Sequence, residues 1–151
     1  MAEAETTVGE MMDTKVHTIE GDTNVKDCAK SMAKGKSGYA VVVKSGIAVG
    51  IVTERDLVWK VIADNVDPAK VLVRDIMSTP LITIEPSATM TDAAKLMTDY
   101  KVRRIVVIDE SGSLAGIVSS IDMAKSLAKE KGFADVTLNA IARLETGGPY
   151  Q

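Results

Sequence analysis

The sequence predicts an α/β protein built from two copies of one strand-helix-strand-strand-helix unit. Three observations support this prediction. The chain has 151 residues, which is the usual size of one domain. Its apolar residues are mainly aliphatic, since aromatic residues make up only 3% of the chain, and aliphatic side chains suit helices that pack on a sheet. Finally, the chain matches itself when it is shifted by about 65 residues.

The internal repeat runs almost from end to end of the chain. The shift places residues 8–43 on residues 73–108, with roughly a third of the positions identical. After one inserted residue in the second copy, Asp56 falls on Asp122. The duplication predicts four parts, which are a first repeat at 8–63, a linker at 64–72, a second repeat at 73–131 and a C-terminal extension at 132–151.

The same elements are expected in the same order in each repeat. A short extended stretch precedes a helix that begins after a good N-cap residue, Asn24 or Thr89. Two apolar runs then form a hairpin, and a second helix follows. Because a copy of about 60 residues has little core of its own, we expect the two copies to pack about a pseudo-twofold axis. The predicted strands are 16–19, 39–43 and 47–52, then 81–84, 104–108 and 114–118, and the predicted last helices are 54–63 and 120–131.

Composition narrows the function classes. A net charge of −3 argues against broad binding to nucleic acid or to anionic lipid. Cys28 has no partner for an internal disulfide and is expected to be a small buried hydrophobe. The chain shows no apolar leader region and no run of about 18 apolar residues, which predicts a cytoplasmic protein. Residues 135–144 are expected to form a further amphipathic helix, and residues 145–151 a frayed tail.

Two short motifs carry a resemblance to a known family. The sequence reads GIVTERD at 50–56 and GIVSSID at 116–122, and the repeats open with VGEMM at 8–12 and VRDIM at 73–77. Both motifs match the Gly-hydrophobic-x-Thr/Ser-x-x-Asp pattern of the cystathionine-beta-synthase (CBS) family, which the chain resembles over nearly its whole length. The resemblance implies a non-catalytic regulatory module that binds AMP, ADP or ATP in clefts between the repeats. It also implies that the module signals its ligand state to a partner protein.

The chemistry of the motif is intelligible from its residues. Where a strand runs into a helix N-terminus, backbone N–H groups and a Thr or Ser hydroxyl can hold an anion or a base edge. The aspartate one turn later presents two acceptor oxygens, which suit the two hydroxyls of a ribose. The structural alternative is that Thr53 and Ser119 only cap their helices, and that Asp56 and Asp122 only complement the helix dipoles.

The resemblance assigns one main cleft that combines the first motif with the junction before the last hairpin of the second repeat. Adenine would lie against three apolar side chains, the ribose on Asp56 with Thr53 nearby, and the phosphates on three cations. Arginine suits phosphate oxygens because its planar fork stays charged, although the alternative is an ordinary solvated strand end. The main-cleft residues are Ile51, Thr53, Asp56, Leu81, Ile82, Lys101, Arg103 and Arg104.

A second cleft would use the other motif, and it departs from the first. Gly38 and Tyr39 stand where the other repeat has two arginines, so polyphosphate binding should be weaker there. Tyr39 could stack on a base or simply fill a strand position, and His17 is expected to be a strand residue rather than a ligand or catalyst. The second-cleft residues are Val16, His17, Lys36, Gly38, Tyr39, Ile117, Ser119 and Asp122.

Other functions remain as alternatives. An enzyme is disfavoured because the sequence has no phosphate loop, nucleophile elbow or Cys/His pair, and no metal site of the usual kind is expected. A ligand-independent dimeric scaffold would use apolar helix faces, and family members pair through such helices, here those with Trp59 and Met123. A nucleic-acid site is suggested only by Arg103 and Arg104, and the acidic balance and the near absence of aromatic residues disfavour it. An S-adenosylmethionine site is the remaining alternative, although the positive sulfonium fits an arginine-lined cleft poorly. The residues of the apolar helix faces are Leu57, Val58, Val61, Ile62, Met123, Ala124 and Leu127.

Overall fold

The computed structural model describes residues 5–131, with side chains described to residue 128. The predicted extension at 132–151, with its helix at 135–144, lies outside the described residues. The chain divides into two compact units. The first unit contains residues 16–81, and the second unit contains residues 82–131 together with the segment up to Lys15.

Both units contain the predicted elements, and each unit also contains one additional short helix. The α/β class and the strand-helix-strand-strand-helix order in each repeat are confirmed, whereas the helices before each first strand were not predicted. In chain order the elements are α1 (Val8–Met11), β1 (Thr18–Glu20), α2 (Val25–Gly35), β2 (Tyr39–Lys44), β3 (Ile47–Thr53), α3 (Glu54–Asp56), a π-helical segment (Leu57–Ile62), α4 (Val73–Ile76), β4 (Thr83–Ile84), α5 (Met90–Tyr100), β5 (Arg104–Ile108), β6 (Leu114–Ser119) and α6 (Ser120–Lys131).

Each unit has a three-stranded sheet of the same topology. In the first unit β1 pairs in parallel with β2, and β2 pairs antiparallel with β3. In the second unit β4, β5 and β6 repeat this arrangement. A parallel pair needs a crossover connection, and α2 and α5 supply it. Consequently the end of the third strand lies beside the start of the second strand in each sheet.

The compact units do not follow the sequence repeat. The segment with α1 belongs to the second unit, where the N–H groups of Val8 and Gly9 donate to the carbonyls of Ala88 and Pro86 at 2.8 and 2.9 Å. The segment with α4 belongs to the first unit, where the Val73 N–H donates to the Thr23 carbonyl at 2.8 Å. The opening segments of the two repeats are therefore exchanged. The repeat boundaries at 8–63 and 73–131 describe the duplication and stay a prediction for the domain limits.

Local capping explains where the crossover helices begin and end. Asn24 accepts a hydrogen bond from the Asp27 N–H at 2.8 Å, and Thr89 accepts one from the Asp92 N–H at 3.1 Å, so both predicted N-caps are confirmed. Both helices end on a lysine in the left-handed conformation. Lys36 has a φ of 51° and Lys101 a φ of 54°, a backbone geometry that glycine adopts more readily.

Each unit has its own aliphatic core. The first unit buries one face of α2, including Cys28 and Met32, against Val42 and Val52 of the sheet. Burial raises the pKa of the Cys28 thiol, so the thiol behaves as a small hydrophobe rather than a nucleophile. The second unit is built alike, from Val8, Met90, Ala93, Met97, Ile105, Val107 and Val118.

The motif glycines are explained by close packing. A Cβ at Gly50 would lie 2.5 Å from the Met77 sulfur and 3.2 Å from the Ser78 carbonyl oxygen. A Cβ at Gly116 would lie 2.8 Å from both the Asp13 carbonyl oxygen and the Met12 sulfur. The chain after each short helix therefore crosses the third strand at a point where only glycine fits.

Candidate ligand-binding sites

The first motif forms the junction between β3 and α3 in the first unit. Asp56 is 4% exposed there. Its Oδ2 accepts hydrogen bonds from the Thr53 N–H at 2.9 Å and from the Thr53 hydroxyl at 3.4 Å. The carboxylate thus closes the first helical turn, which is the structural role weighed above as the alternative to ribose binding.

The other oxygen of Asp56 has two further partners. Oδ1 forms an ion pair with Lys60 Nζ at 2.8 Å and accepts a hydrogen bond from the Ser78 hydroxyl at 3.0 Å. Lys60 Nζ also donates to the Ile76 carbonyl at 2.8 Å. Asp56 therefore ties the start of α3 to the chain that follows α4, within the first unit.

The second motif forms the matching junction between β6 and α6 in the second unit. Asp122 Oδ2 accepts hydrogen bonds from the Ser119 N–H at 2.8 Å and the Ser119 hydroxyl at 3.0 Å. The Asp122 N–H in turn lies 3.3 Å from the Ser119 hydroxyl oxygen. Among the side chains described up to residue 128, none donates to Asp122 Oδ1. Asp122 is also only partly buried, unlike Asp56.

The predicted phosphate-binding residues lie beside the second motif. Arg104 begins β5 and stands directly opposite Ser119, the last residue of β6. The Ser120 N–H donates to the Arg103 carbonyl at 2.9 Å. Lys101 is the exposed C-cap of α5 three positions before Arg104. A run of three cations therefore adjoins the Ser119–Asp122 junction within one unit.

The corresponding positions in the first unit carry fewer cations. Tyr39 stands opposite Thr53, and the Glu54 N–H donates to the Gly38 carbonyl at 3.1 Å. His17 lies at the same end of the sheet, with its Nε2 3.0 Å from the Ser31 hydroxyl. Its backbone N–H lies 3.4 Å from the Tyr39 hydroxyl, so Tyr39 packs toward the strand start.

The two sets of predicted residues are distributed over both units. Each predicted cleft combines residues of the first unit with residues of the second, so the sharing of a cleft stays a prediction. The structure divides these residues between the two units. The first unit holds Val16, His17, Lys36, Gly38, Tyr39, Ile51, Thr53, Asp56 and Leu81, and the second unit holds Ile82, Lys101, Arg103, Arg104, Ile117, Ser119 and Asp122.

Sequence reasoning missed the partners of Asp56. Lys60 follows Asp56 by four residues, a spacing at which opposite charges meet on a helix, so the pair was visible in principle. Ser78 is 22 residues away, and no local pattern connects it with Asp56. Only the packing of the segment after α4 brings its hydroxyl to the carboxylate.

An apolar groove of about 430 Å³ lies in the first unit between α2 and the π-helical segment. Two of the residues predicted for an apolar helix face, Val58 and Ile62, are 49% and 73% exposed, while Val61 is buried. Trp59 is 64% exposed, with Arg55 over its ring at 5.0 Å. The lining residues are Val25, Lys26, Ala29, Lys30, Ala33, Leu57, Val61, Ile62, Val66 and Pro68.

The described part of the chain contains neither a metal-binding cluster nor a membrane-spanning helix. In residues 5–131 no cluster of three or more His, Cys, Asp or Glu side chains is placed to hold a metal ion. Over the same residues, no helix is both long and apolar enough to cross a membrane.

Two α/β units of the same topology, with matching strand-to-helix junctions, define a tandem repeat protein. The CBS domain model matches residues 8–62 and 73–129, so the chain belongs to the CBS-domain family. It is a CBS domain pair, which is in general a regulatory module.

The chain is similar to proteins of an archaeon and a bacterium. The chain is 39% identical over 102 residues to the uncharacterized protein MK0525 of Methanopyrus kandleri, covering 68% of this chain but only 52% of that protein. It is 31% identical over 117 residues to the CBS domain-containing protein YhcV of Bacillus subtilis, covering 78% of this chain and 82% of YhcV.

A solved structure with bound ligands is also similar. It is the CBS domain pair of protein MJ0100 in complex with 5'-methylthioadenosine and S-adenosyl-L-methionine. The TM-score is 0.75 at 25% identity, and the match covers 85% of this chain and 100% of that one. The fold of the chain is thus one that holds adenosine compounds in another protein.

Proposed function

We propose that this CBS pair binds an adenine nucleotide (AMP, ADP or ATP) and passes its ligand state to a partner protein, in the cytoplasm. The observation that carries the proposal is the position of Arg103 and Arg104 beside Ser119 and Asp122. Because the backbone of both arginines adjoins the junction that carries Asp122, their guanidinium groups could bind the phosphates of a nucleotide whose ribose lies on the carboxylate.

The ribose end is supported by the acceptor capacity of Asp122. A carboxylate offers about four lone-pair positions, and the described partners of Asp122 use only Oδ2. A ribose 2'- or 3'-hydroxyl donates to such an oxygen in a charge-assisted hydrogen bond. Ile117, one of the predicted second-cleft residues, is two residues before Ser119 and is buried.

The phosphate end is supported by the cations that adjoin the same junction. Arg103 and Lys101 are exposed, and Arg104 is partly exposed. The adjoining anion Asp122 favours a ligand with its ribose there and its phosphates on the arginines. S-adenosylmethionine shares the ribose and adenine, but its positive sulfonium is poorly suited to neighbouring arginines.

The contacts of the two motif aspartates favour Asp122 over Asp56 as the residue that binds the ribose. From sequence we expected the main cleft to centre on Asp56, with Leu81 and Ile82 against the adenine. Asp56 is buried and carries four donor contacts, whereas Asp122 is partly exposed and has the arginines in its own unit. We therefore propose Asp122 as the principal ribose carboxylate.

Calorimetric titration with AMP, ADP, ATP and S-adenosylmethionine tests this function. We expect binding of at least one adenine nucleotide, a thermal shift that grows with its concentration, and no product. Asp122→Asn and Arg104→Ala should each weaken binding at least tenfold. Lys44→Ala, which removes an exposed cation at the hairpin end of β2, is the matched control and should bind as the parent does. Failure of every nucleotide to bind at millimolar concentration would contradict the proposal.

A second candidate function, a dimeric interaction scaffold, is favoured by the apolar groove. The groove and the exposed Trp59 and Ile62 form an apolar surface on the first unit, and Leu127 of α6 is 44% exposed on the second. Large exposed apolar patches mark interaction sites, and we propose pairing of two copies through the helices that carry Trp59 and Met123. Sedimentation of Ile62→Glu against the matched control Lys70→Glu tests it, and an unchanged mass for Ile62→Glu would contradict this pairing.

A further inference from the structure

The two motif aspartates differ in the hydrogen-bond donors that contact their carboxylates. We propose that Lys60 closes the Asp56 junction to nucleotide, so that each chain takes a single nucleotide, at the Asp122 junction. Lys60 then determines the binding stoichiometry without contacting the nucleotide at the open junction. This inference rests on the proposed function and adds which of the two junctions is used.

The contacts of Asp56 leave little acceptor capacity. The Thr53 N–H and hydroxyl lie on Oδ2 at 2.9 and 3.4 Å, while Lys60 Nζ and the Ser78 hydroxyl lie on Oδ1 at 2.8 and 3.0 Å. Four donors match the roughly four lone-pair positions of a carboxylate. A ribose hydroxyl could bind Asp56 only by displacing one of them, and the ammonium is the strongest competitor because its hydrogen bond is charge-assisted.

The ammonium is held in place from two sides. Lys60 Nζ donates to the Ile76 carbonyl at 2.8 Å as well as to Asp56, so it bridges α3 and the end of α4. Asp56 itself is 4% exposed, which limits access for any ligand that does not first move Lys60. Lys60 keeps 44% of its side chain exposed, so it can be replaced without opening the core.

The second repeat lacks both closing groups. The position that corresponds to Lys60 is Ser126, which is 3% exposed and has a side chain too short to reach a carboxylate four residues earlier. The position that corresponds to Ser78 is Asp13, whose Oδ1 accepts from the Lys15 N–H at 2.9 Å. A carboxylate cannot donate to Asp122 as a serine hydroxyl can. The two carboxylates therefore have different hydrogen-bond donors because two aligned positions of the repeat carry different residues.

The test is the stoichiometry of AMP binding in calorimetry, because the first unit has fewer cations beside its junction to hold a polyphosphate. The parent chain should bind one nucleotide, and Lys60→Ser, which copies the residue of the second repeat, should bind two. The new site should bind at least tenfold more tightly than any residual binding at that junction in the parent. Lys60→Met keeps the apolar stem without the charge and should behave in the same way, which guards against a folding defect of either variant.

A gain of binding separates this inference from the proposed function. Asp122→Asn should abolish the single site, and Lys60→Ser in that background should restore one site, at Asp56. Two sites in the parent chain would overturn the inference alone. So would one site in folded Lys60→Ser and Lys60→Met proteins. Absence of nucleotide binding in the parent and in every variant would instead overturn the proposed function, and this inference with it.

Discussion

The two strand-to-helix junctions share backbone geometry but differ in the side chains around the aspartate. In the first unit Asp56 is buried among Thr53, Lys60 and Ser78, and acts as a structural clamp. In the second unit the Asp122 carboxylate accepts hydrogen bonds only from Ser119 among the described residues, and the backbone of two arginines adjoins the junction. The two repeats therefore provide matching backbone junctions, and a few differences in sequence give Asp56 more hydrogen-bond donors than Asp122 has among the described residues.

The largest expected effect separates the two motif glycines. Gly116→Ala should lower the free energy of unfolding by about 3 kcal/mol, because the new methyl group meets the Asp13 carbonyl oxygen, which is backbone. Gly50→Ala should cost only about 1 kcal/mol, since its closest contact is the flexible Met77 side chain. Urea denaturation of both variants measures the difference. Equal losses would mean that the two crossings are equally tight.

The second largest expected effect is a difference in stability between variants of the two motif aspartates. Asp56→Asn should lower the free energy of unfolding by about 2 kcal/mol, because Lys60 loses its charged partner and Ser78 its charged acceptor. Asp122→Asn should cost about 0.5–1 kcal/mol, which is the value of a helix-capping contact. Urea denaturation checks this, with the exposed Asp64→Asn as control. A larger loss for Asp122→Asn would reverse the assignment of the structural clamp.

The lysines with left-handed backbone conformation at the helix C-caps allow stability and nucleotide binding to be compared between the two units. Lys36→Gly and Lys101→Gly should each raise the free energy of unfolding by up to about 1 kcal/mol, because glycine adopts a φ near 50° without strain. Only Lys101→Gly should weaken nucleotide binding, by several-fold, since Lys101 adjoins the arginines. Thermal unfolding and calorimetry on the same preparations measure the two effects. An equal loss of binding in Lys36→Gly would show that both junctions are used.

The smallest expected effect lies in the hairpin of the second repeat and concerns acid stability. The Ser111 hydroxyl, and then the Ser113 and Ser111 N–H groups, hold the pKa of Asp109 below its ordinary value of 3.8. Because the folded-state pKa is the lower one, this carboxylate stabilises the fold at pH values above about 4. That contribution is lost as the pH falls through the lowered pKa.

An NMR titration of Asp109 measures that pKa directly. We expect a value below 3.8 in the parent chain. Asp109→Asn should make the acid side of the stability profile slightly flatter, because the group no longer titrates. The hairpin of the first repeat, Lys44 to Ile47, has no aspartate at this position and serves as the internal comparison. A pKa of Asp109 at or above 3.8 would contradict the claim that these hydrogen bonds lower it.

Most of the fold could be predicted because its signals are local. The caps Asn24 and Thr89 fix where the crossover helices begin, and the apolar runs fix the hairpins, each within a few residues. The π-helical geometry of Leu57–Ile62 and the helices α1 and α4 were not predicted. Segments of four residues carry too little periodicity to identify a helix, and their hydrogen bonds go to residues far along the chain.

The sequence by itself determined the duplication, the order of the elements in each copy and the motif that carries an aspartate at each strand-to-helix junction. Tertiary structure alone decided that the opening segments are exchanged between the units and that the Ser78 hydroxyl reaches Asp56. The physical reason is range. Helix caps and strand periodicity depend on neighbours a few residues away. The hydrogen bond from Ser78 to Asp56, in contrast, depends on packing between segments that are distant in the sequence.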